Sequence, residues 1–122
     1  MISEQNSIIY KKCFKFSLEI ITLCKYLNNS KKEFVLSNQI LRCSTSIGAN
    51  VSESFNAQSH KEYISKLYIS LKEASETKYW LELLNASNTI NDATYKDLLD
   101  QITQIIKILS SIIRNTKLKH HL

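Results

Sequence analysis

The chain has 122 residues, a formal net charge of +5, 43% hydrophobic residues, no proline and a single glycine. Average usage of about 5% proline and about 7% glycine would give about six and about nine of them at this length. Their scarcity excludes a glycine-rich phosphate loop and disfavours a turn-rich β fold. The length suits a domain that buries roughly 65% of its unfolded surface. We therefore expect one all-α domain over residues 1–122.

Four amphipathic segments follow one another along the chain. Apolar residues recur at spacings of three and four, which predicts helices at about residues 8–27, 36–55, 60–86 and 92–115. The predicted core stripe of the second helix is Leu36, Ile40, Cys43, Ile47 and Val51. That of the third is Tyr63, Leu67, Leu71, Ala74, Lys78, Leu81 and Leu84, and that of the fourth is Tyr95, Leu98, Leu99, Ile102, Ile105, Ile106, Leu109, Ile112 and Ile113. Ser59, followed three residues later by Glu62, predicts a capping box at the start of the third helix. Asp92 opens the fourth, where a carboxylate suits the positive end of the helix dipole. The short joints predict an antiparallel up-down-up-down four-helix bundle.

The first helix carries two apolar stripes. The first stripe, which we predict to face the core, consists of Tyr10, Phe14, Leu18, Ile21 and Cys24. The second stripe lies beside it and consists of Phe16, Ile20, Leu23 and Leu27. Two interpretations of the second stripe are open: it widens the buried face, or it forms a subunit interface.

The three cysteines lie inside helical patterns without a Cys-x-x-Cys pair. Cys13 and Cys24 share a helix face but lie about 16 Å apart along the axis, which is beyond disulfide reach. The chain has no recognisable secretory signal and no apolar run near the ~20 residues of a membrane span. We expect a soluble cytoplasmic protein with reduced thiols, no metal, no cofactor and no membrane association.

Enzymatic motifs are poorly matched. A di-iron bundle needs Glu-x-x-His on two helices, but the residue three before His60 is Ala57, and the other histidines are in the C-terminal tail. Ser75 and Lys78 fit Ser-x-x-Lys, yet the Ser-Asp-Asn and Lys-Thr-Gly elements of that chemistry are missing. We expect no catalysis by this chain.

A polar stripe runs beside the apolar stripe of the second helix. Its members recur at spacings of four, four and three, which brings them to one helix face: Arg42, Ser46, Asn50 and Glu53. The third helix carries acidic residues near its core-facing edge: Glu73, Glu76 and Glu82. We interpret this set as a buried polar network that fixes helix register or joins subunits, because buried polar groups need partners. A functional pocket is the alternative.

Basic residues concentrate at one predicted end of the bundle. There, the start of the first helix, the second joint and the end of the fourth helix come together. Seven of the sixteen basic residues, with His120 and His121 nearby, fall in this region: Lys11, Lys12, Lys15, Lys61, Arg114, Lys117 and Lys119. Lysines attract phosphate backbones without reading sequence. We expect weak, non-specific RNA or DNA binding; a charge that serves only solubility is the alternative.

Three stretches carry a family resemblance: QILRCSTSIGANVSE at 39–53, SHKEY at 59–63 and LKEASETKYWLELL at 71–84. They closely resemble the 23S rRNA intervening-sequence proteins, over about residues 10–114. The chain is similar, more distantly, to accessory variability proteins of diversity-generating retroelements, which form five-membered rings and bind a reverse transcriptase and nucleic acid. The resemblance implies a left-handed up-down bundle, a homopentamer and no known catalysis. Many members have glycine where this chain has Ser54.

The only glycine of the chain, Gly48, lies in this signature. Relatives carry proline or glycine at that position, and both weaken a helix interior. We therefore predict a local bend or a close helix contact in the middle of the second helix.

Two hypotheses of function follow. The first is an oligomeric nucleic-acid-binding module that serves as an accessory to a ribonucleoprotein or a reverse transcriptase. The second is a protein-interaction scaffold without a nucleic-acid role, in which outer apolar residues such as Tyr79 and Trp80 hold a partner protein.

Overall fold

The structure is a computed structural model that describes the backbone of residues 4–122 and the side chains of residues 7–122. This part of the chain forms four helices and no strand: α1 (Glu4–Asn29), α2 (Phe34–Ser54), α3 (His60–Ala86) and α4 (Asp92–His120). The all-α prediction is confirmed. α4 continues five residues beyond its predicted end at residue 115. Residues 1–3 lie outside the described residues. They belong to the predicted 1–122 domain and to the N-terminal region in which we expected no secretory signal.

Side-chain caps start α3 and α4 where the sequence indicates. Ser59 accepts a hydrogen bond from the Glu62 backbone N–H at 3.1 Å. Glu62 in turn accepts from the backbone N–H of Gln58 at 2.9 Å, one residue earlier than in a standard capping box. Asn91 caps α4, and Asp92 lies in its first turn. These bonds satisfy backbone donors that have no partner within the helix.

Each helix has two close neighbours: the backbones of α1 and α3 both approach those of α2 and α4, and among the described residues the backbones of α1 and α3 do not approach each other. Contacts between α1 and α2 run in opposite directions along the two helices. Cys13 lies against Gly48, and Cys24 donates a hydrogen bond to the Ser37 carbonyl at 3.4 Å. α1 and α2 are therefore antiparallel, whereas the up-down-up-down order of all four helices stays a prediction. The left-handed twist of the bundle stays a prediction.

The core of α2, α3 and α4 agrees with the predicted stripes. α4 buries six branched residues that the sequence marks as core: Leu98, Ile102, Ile105, Leu109, Ile112 and Ile113. α2 buries Ile40, Cys43, Ile47 and Val51, and α3 buries Leu67, Ala74, Leu81 and Leu84. Seven predicted stripe members are only half-buried: Leu36 on α2, Tyr63, Leu71 and Lys78 on α3, and Tyr95, Leu99 and Ile106 on α4.

The predicted orientation of α1 is wrong. The stripe assigned to the core is largely exposed, at 40% for Tyr10, 58% for Phe14 and 53% for Leu18. The core instead takes the second stripe together with three small or aliphatic residues: Ile9, Cys13, Phe16, Ile20, Leu23, Cys24 and Leu27. Of the first stripe, only Cys24 is buried, because it lies between the two stripes.

Lysine positions explain this rotation of α1. Lys11 and Lys25 each lie seven residues from Leu18, so all three share one helix face. Burying the first stripe would draw both lysines toward the core, whereas a buried ammonium without a partner carries a large desolvation penalty. The face that is buried gathers seven apolar residues and no lysine. The lysine positions can be read from the sequence, but apolar periodicity alone does not choose between the two stripes.

The three thiols lie in the core as predicted. Cys13, Cys24 and Cys43 are free and buried. Burial raises the pKa of Cys13 to about 12 and that of Cys43 to about 11, and it raises the pKa of Cys24 as well. The thiols therefore stay protonated at neutral pH and pack as small hydrophobes.

No helix in the described part of the chain has the length and apolar character needed to cross a bilayer.

Candidate nucleic-acid interface and polar cluster

The joint between α2 and α3 meets the end of α4 at one end of the bundle. The rings of His60 and His120 stack there, with their centroids 3.5 Å apart and their planes within 16°. Both rings line an open recess of about 640 Å³. Lys61 and Lys119 each adjoin one ring in sequence, and both are exposed. We call this surface, formed by His60, Lys61, Lys119, His120 and His121, the basic tip.

His120 adds little charge to the basic tip at neutral pH. Desolvation lowers the pKa of His120 below its usual value, and the positive charges of His60, Lys119 and His121 lower it further. His120 is therefore neutral at pH 7, and Lys61 and Lys119 supply the charge of the tip. Acidification would protonate His120 and make the tip more positive.

Two of the predicted basic residues lie between α3 and α4. Lys117 donates to the Tyr68 hydroxyl at 2.9 Å, and its ammonium lies 5.0 Å from the centroid of that ring. Arg114 lines the same groove and is exposed. Lys117 is therefore held against an aromatic ring, whereas Arg114 is exposed beside it.

The three basic residues of α1 are not part of the histidine stack. Lys12 donates to the Gln104 side chain at 2.9 Å, and Gln104 precedes the end of α4 by sixteen residues, or about 24 Å. Lys15 approaches Glu19 at 4.0 Å, and Lys11 is exposed. The structure therefore divides the seven predicted residues among the tip, the α3/α4 groove and α1.

The predicted polar network is likewise divided into separate contacts. Arg42 reaches from α2 to two carboxylates of α3, with Glu73 at 3.3 Å and Glu76 as its second partner. Glu76 also accepts from the Trp80 indole N–H at 3.1 Å. The Arg42 side chain is 52% exposed, so this part of the network is not buried within one chain. It is an ion-pair bridge between α2 and α3.

The other members of the stripe do not join this bridge. Asn50 donates to the Ser46 hydroxyl at 3.0 Å and to the Ser46 carbonyl at 2.9 Å, both within α2. Glu53 accepts from Lys66 of α3 at 3.3 Å. The regular spacing of the polar stripe therefore places its members on one face of α2, but their side chains do not form one connected network.

A possible metal-ligand set lies beneath the Arg42 bridge. The ligand atoms of Cys43, Glu73 and Glu76 all lie within 4.8 Å of one another. Both carboxylates are already held by Arg42, and the raised pKa of the Cys43 thiol disfavours the thiolate that a metal requires. The chemistry of this set therefore suits the ion-pair bridge better than it suits a cation.

Arg42→Met is expected to lower the free energy of unfolding by about 1 kcal/mol, because partly exposed charge pairs contribute little and two carboxylates lose their shared partner. Urea denaturation measures the change. Lys66→Met is the matched control, since it removes a single pair with Glu53. Equal losses in the two variants would contradict a special role for the bridge.

Sequence reasoning misses the histidine stack. By sequence alone, His60 is a solvated residue of the second joint and His120 belongs to the tail. Their contact depends on the extension of α4 to His120, and apolar periodicity ends before that point, since Ile113 is the last of its buried residues.

Comparisons with known proteins agree with this description. The model of a family described as "23S rRNA-intervening sequence protein" matches residues 5–111. A crystal structure from Bacteroides thetaiotaomicron VPI-5482, described as a protein with unknown function from the S23 ribosomal protein family, is 46% identical in sequence. The match covers 90% of this chain and 98% of that chain, with a TM-score of 0.89. No curated protein matches the chain.

Proposed function

Because the chain belongs to the 23S rRNA-intervening sequence protein family, we propose that it is a non-catalytic, oligomeric module that binds RNA or DNA through its basic tip. Binding is weak and independent of sequence, and the module serves as an accessory to a ribonucleoprotein or a reverse transcriptase. A homopentamer and a cytoplasmic location belong to the same proposal. So does the distant likeness to accessory variability proteins of diversity-generating retroelements.

The proposal rests on the meeting of two helix ends at the tip. Lys61 and Lys119 are the chain neighbours of the stacked rings of His60 and His120, and neither lysine makes an ion pair within the described part of the chain. Both lysines are exposed and Lys119 lines the recess, where an ammonium group suits phosphate oxygens. In an assembly with cyclic symmetry every tip faces the same way, so weak contacts add up along one nucleic acid.

The excess of lysine supports binding without sequence readout. Only Arg42 and Arg114 are arginines among the sixteen basic residues, and Arg42 is engaged by two glutamates. Bidentate recognition of bases depends mainly on arginine, whereas lysine acts as a point charge on phosphate. We therefore expect similar affinities for unrelated sequences.

Binding to a single-stranded RNA is expected to weaken as salt rises, with a dissociation constant near 10⁻⁴–10⁻⁶ M at physiological salt, as is typical of non-specific binding. Lys61→Glu with Lys119→Glu is expected to reduce the slope of log K against log salt by about 0.7 for each phosphate that the variant no longer neutralises. Filter binding over a salt series, with the subunit mass checked by light scattering, measures both effects.

The matched control reverses two lysines near the opposite end. Lys31→Glu with Lys96→Glu makes the same change in net charge at exposed positions of the first joint and of early α4. It should leave the salt slope unchanged if the tip binds the nucleic acid. Equal effects of the two variants, or no binding at low salt, would refute the proposal.

A protein scaffold is the second candidate. Its supporting observation is Tyr79, a large aromatic residue that is 56% exposed and contacts Trp80 edge to face at 5.1 Å. Under this alternative the charge of the tip is incidental. A gene position beside a reverse transcriptase or inside an rRNA gene would favour the first candidate.

A further inference from the structure

The recess at the basic tip is lined by four aromatic rings. They belong to Phe55 at the end of α2, His60 and Tyr63 in the first turn of α3, and His120 at the end of α4. Three helix ends that are distant in sequence therefore bring aromatic surface to one concave site. Its volume of about 640 Å³ lies within the range of roughly 300–1,000 Å³ that small-molecule sites span.

The stack of His60 on His120 indicates the kind of group that this recess accommodates. The two ring centroids are 3.5 Å apart and the planes lie within 16° of each other, so the imidazoles meet face to face. His60 is nevertheless exposed, so the stack does not enclose its ring, and a further flat ring can extend it. Nucleobases stack on aromatic side chains, histidine included, in complexes with single strands.

Amide side chains at the recess supply hydrogen-bonding groups. Gln58 of the second joint and Asn115 of α4 both line it, and both are exposed. Gln58 uses its backbone N–H, not its side chain, in the contact with Glu62. Asn115 donates one N–H to the Ser111 hydroxyl over a long 3.5 Å. A primary amide offers two donors and an acceptor, which can pair with the edge of an unpaired base.

The charges around the recess favour a phosphate beside that base. Lys119 lines the recess, Lys61 is exposed nearby, and neither makes an ion pair within the described part of the chain. Two acidic residues lie close by in the chain. Glu62 accepts a backbone N–H of the second joint at 2.9 Å, and Glu53 is paired with Lys66. The two unpaired lysines therefore outweigh the remaining carboxylate of Glu62, and an anion is attracted to the recess.

We propose that this recess holds one unpaired base of a single-stranded nucleic acid, stacked on the His60–His120 pair, with Lys119 on the adjacent phosphate. The inference rests on the proposed function and specifies its ligand as a single strand. Every base has a flat face, so stacking does not read sequence. In a duplex both faces of a base are covered by its neighbours, and the base reaches a recess only by leaving the helix.

The first test compares ligands that carry the same phosphates. Adenosine monophosphate and ribose 5-phosphate differ only in the base, and so do an oligoadenylate and an abasic strand of the same length. The base-bearing member of each pair is expected to bind about tenfold more tightly or better, as the stacking of a base contributes. NMR titration measures the two monophosphates, and filter binding measures the strands and a duplex of the same length, which should bind more weakly than the oligoadenylate.

The second test changes the aromatic stack. His60→Ala is expected to weaken oligoadenylate binding about tenfold without changing the salt slope or the affinity for the abasic strand, because it removes no phosphate contact. His60→Phe keeps a flat ring and should restore the preference for the base-bearing strand. His120→Ala tests the second ring in the same way.

Tyr26→Ala is the matched control for these variants. It removes another aromatic ring, 44% exposed, from the last turns of α1, and should change neither affinity. Far-UV circular dichroism verifies that each variant is folded.

The outcomes separate the base site from the proposed function. Equal binding of base-bearing and abasic ligands, or equal effects of His60→Ala and Tyr26→Ala, overturns the base site alone, since the salt series measures phosphate binding independently. A His60→Phe variant as weak as His60→Ala also overturns it, because binding then does not depend on a flat aromatic ring. If no strand binds at low salt, the proposed function fails and the base site fails with it.

Discussion

Phe16→Ala is expected to lower the free energy of unfolding by about 3–5 kcal/mol, the usual range for a buried phenylalanine. Phe16 is fully buried in the core, and truncation leaves a cavity that the helices can fill only in part. For a chain of this size the melting temperature should fall by roughly 15 °C. Urea denaturation at one low protein concentration measures the change, because self-association adds stability by mass action.

Phe14→Ala is the matched control on the same helix. It removes the same atoms two residues away, but Phe14 is 58% exposed, so the chain should lose less than about 1 kcal/mol. The pair thereby tests the orientation of α1. Comparable losses at both positions, or a larger loss at Phe14, would contradict the observed core face.

Gly48→Leu is expected to lower the free energy of unfolding by about 2 kcal/mol. Overpacking a core typically costs about 1–3 kcal/mol, and the better helix propensity of leucine offsets about 1 kcal/mol of the packing strain. A Cβ at this position would lie 3.3 Å from the Cβ of Cys13, and a leucine side chain would extend farther between α1 and α2. Differential scanning calorimetry should detect a fall in melting temperature of about 8 °C.

Gly48→Ala adds only the Cβ atom and so separates its effect from that of the rest of the leucine side chain. The contact with Cys13 then has to relax by a few tenths of an ångström, while the helix gains up to about 1 kcal/mol in propensity. The two effects nearly cancel, so alanine should be close to neutral. A leucine variant that melts at or above the native temperature would show that α1 and α2 are not in close contact here.

The position of Gly48 could be predicted in part from the sequence. A single glycine in a long helical pattern indicates either a bend or a close approach. The structure provides the close approach to Cys13 and identifies α1 as the neighbour. The apolar periodicity of α2 could not identify α1 as the neighbour, because the periodicity of a helix describes that helix alone.

The candidate site was less predictable than the fold. Sequence spacing brought Arg42 and Asn50 to one face of α2, and both do lie on that helix. Whether they share partners depends on side-chain reach: Arg42 spans to α3, whereas Asn50 is short and turns back to Ser46. The seven predicted basic residues are another example. Helix order predicts that they share one end of the bundle, but it does not predict which of their side chains lie close together.

The sequence by itself determined four helices, their approximate limits and the core faces of α2, α3 and α4. Local propensity and apolar periodicity suffice for these features, since each is a property of consecutive residues. Only the tertiary structure decided which of two apolar stripes α1 buries, which neighbour Gly48 touches and that His60 meets His120. These outcomes depend on how helices distant in sequence pack together, where close packing and the desolvation of flanking lysines select one rotation among several that periodicity allows.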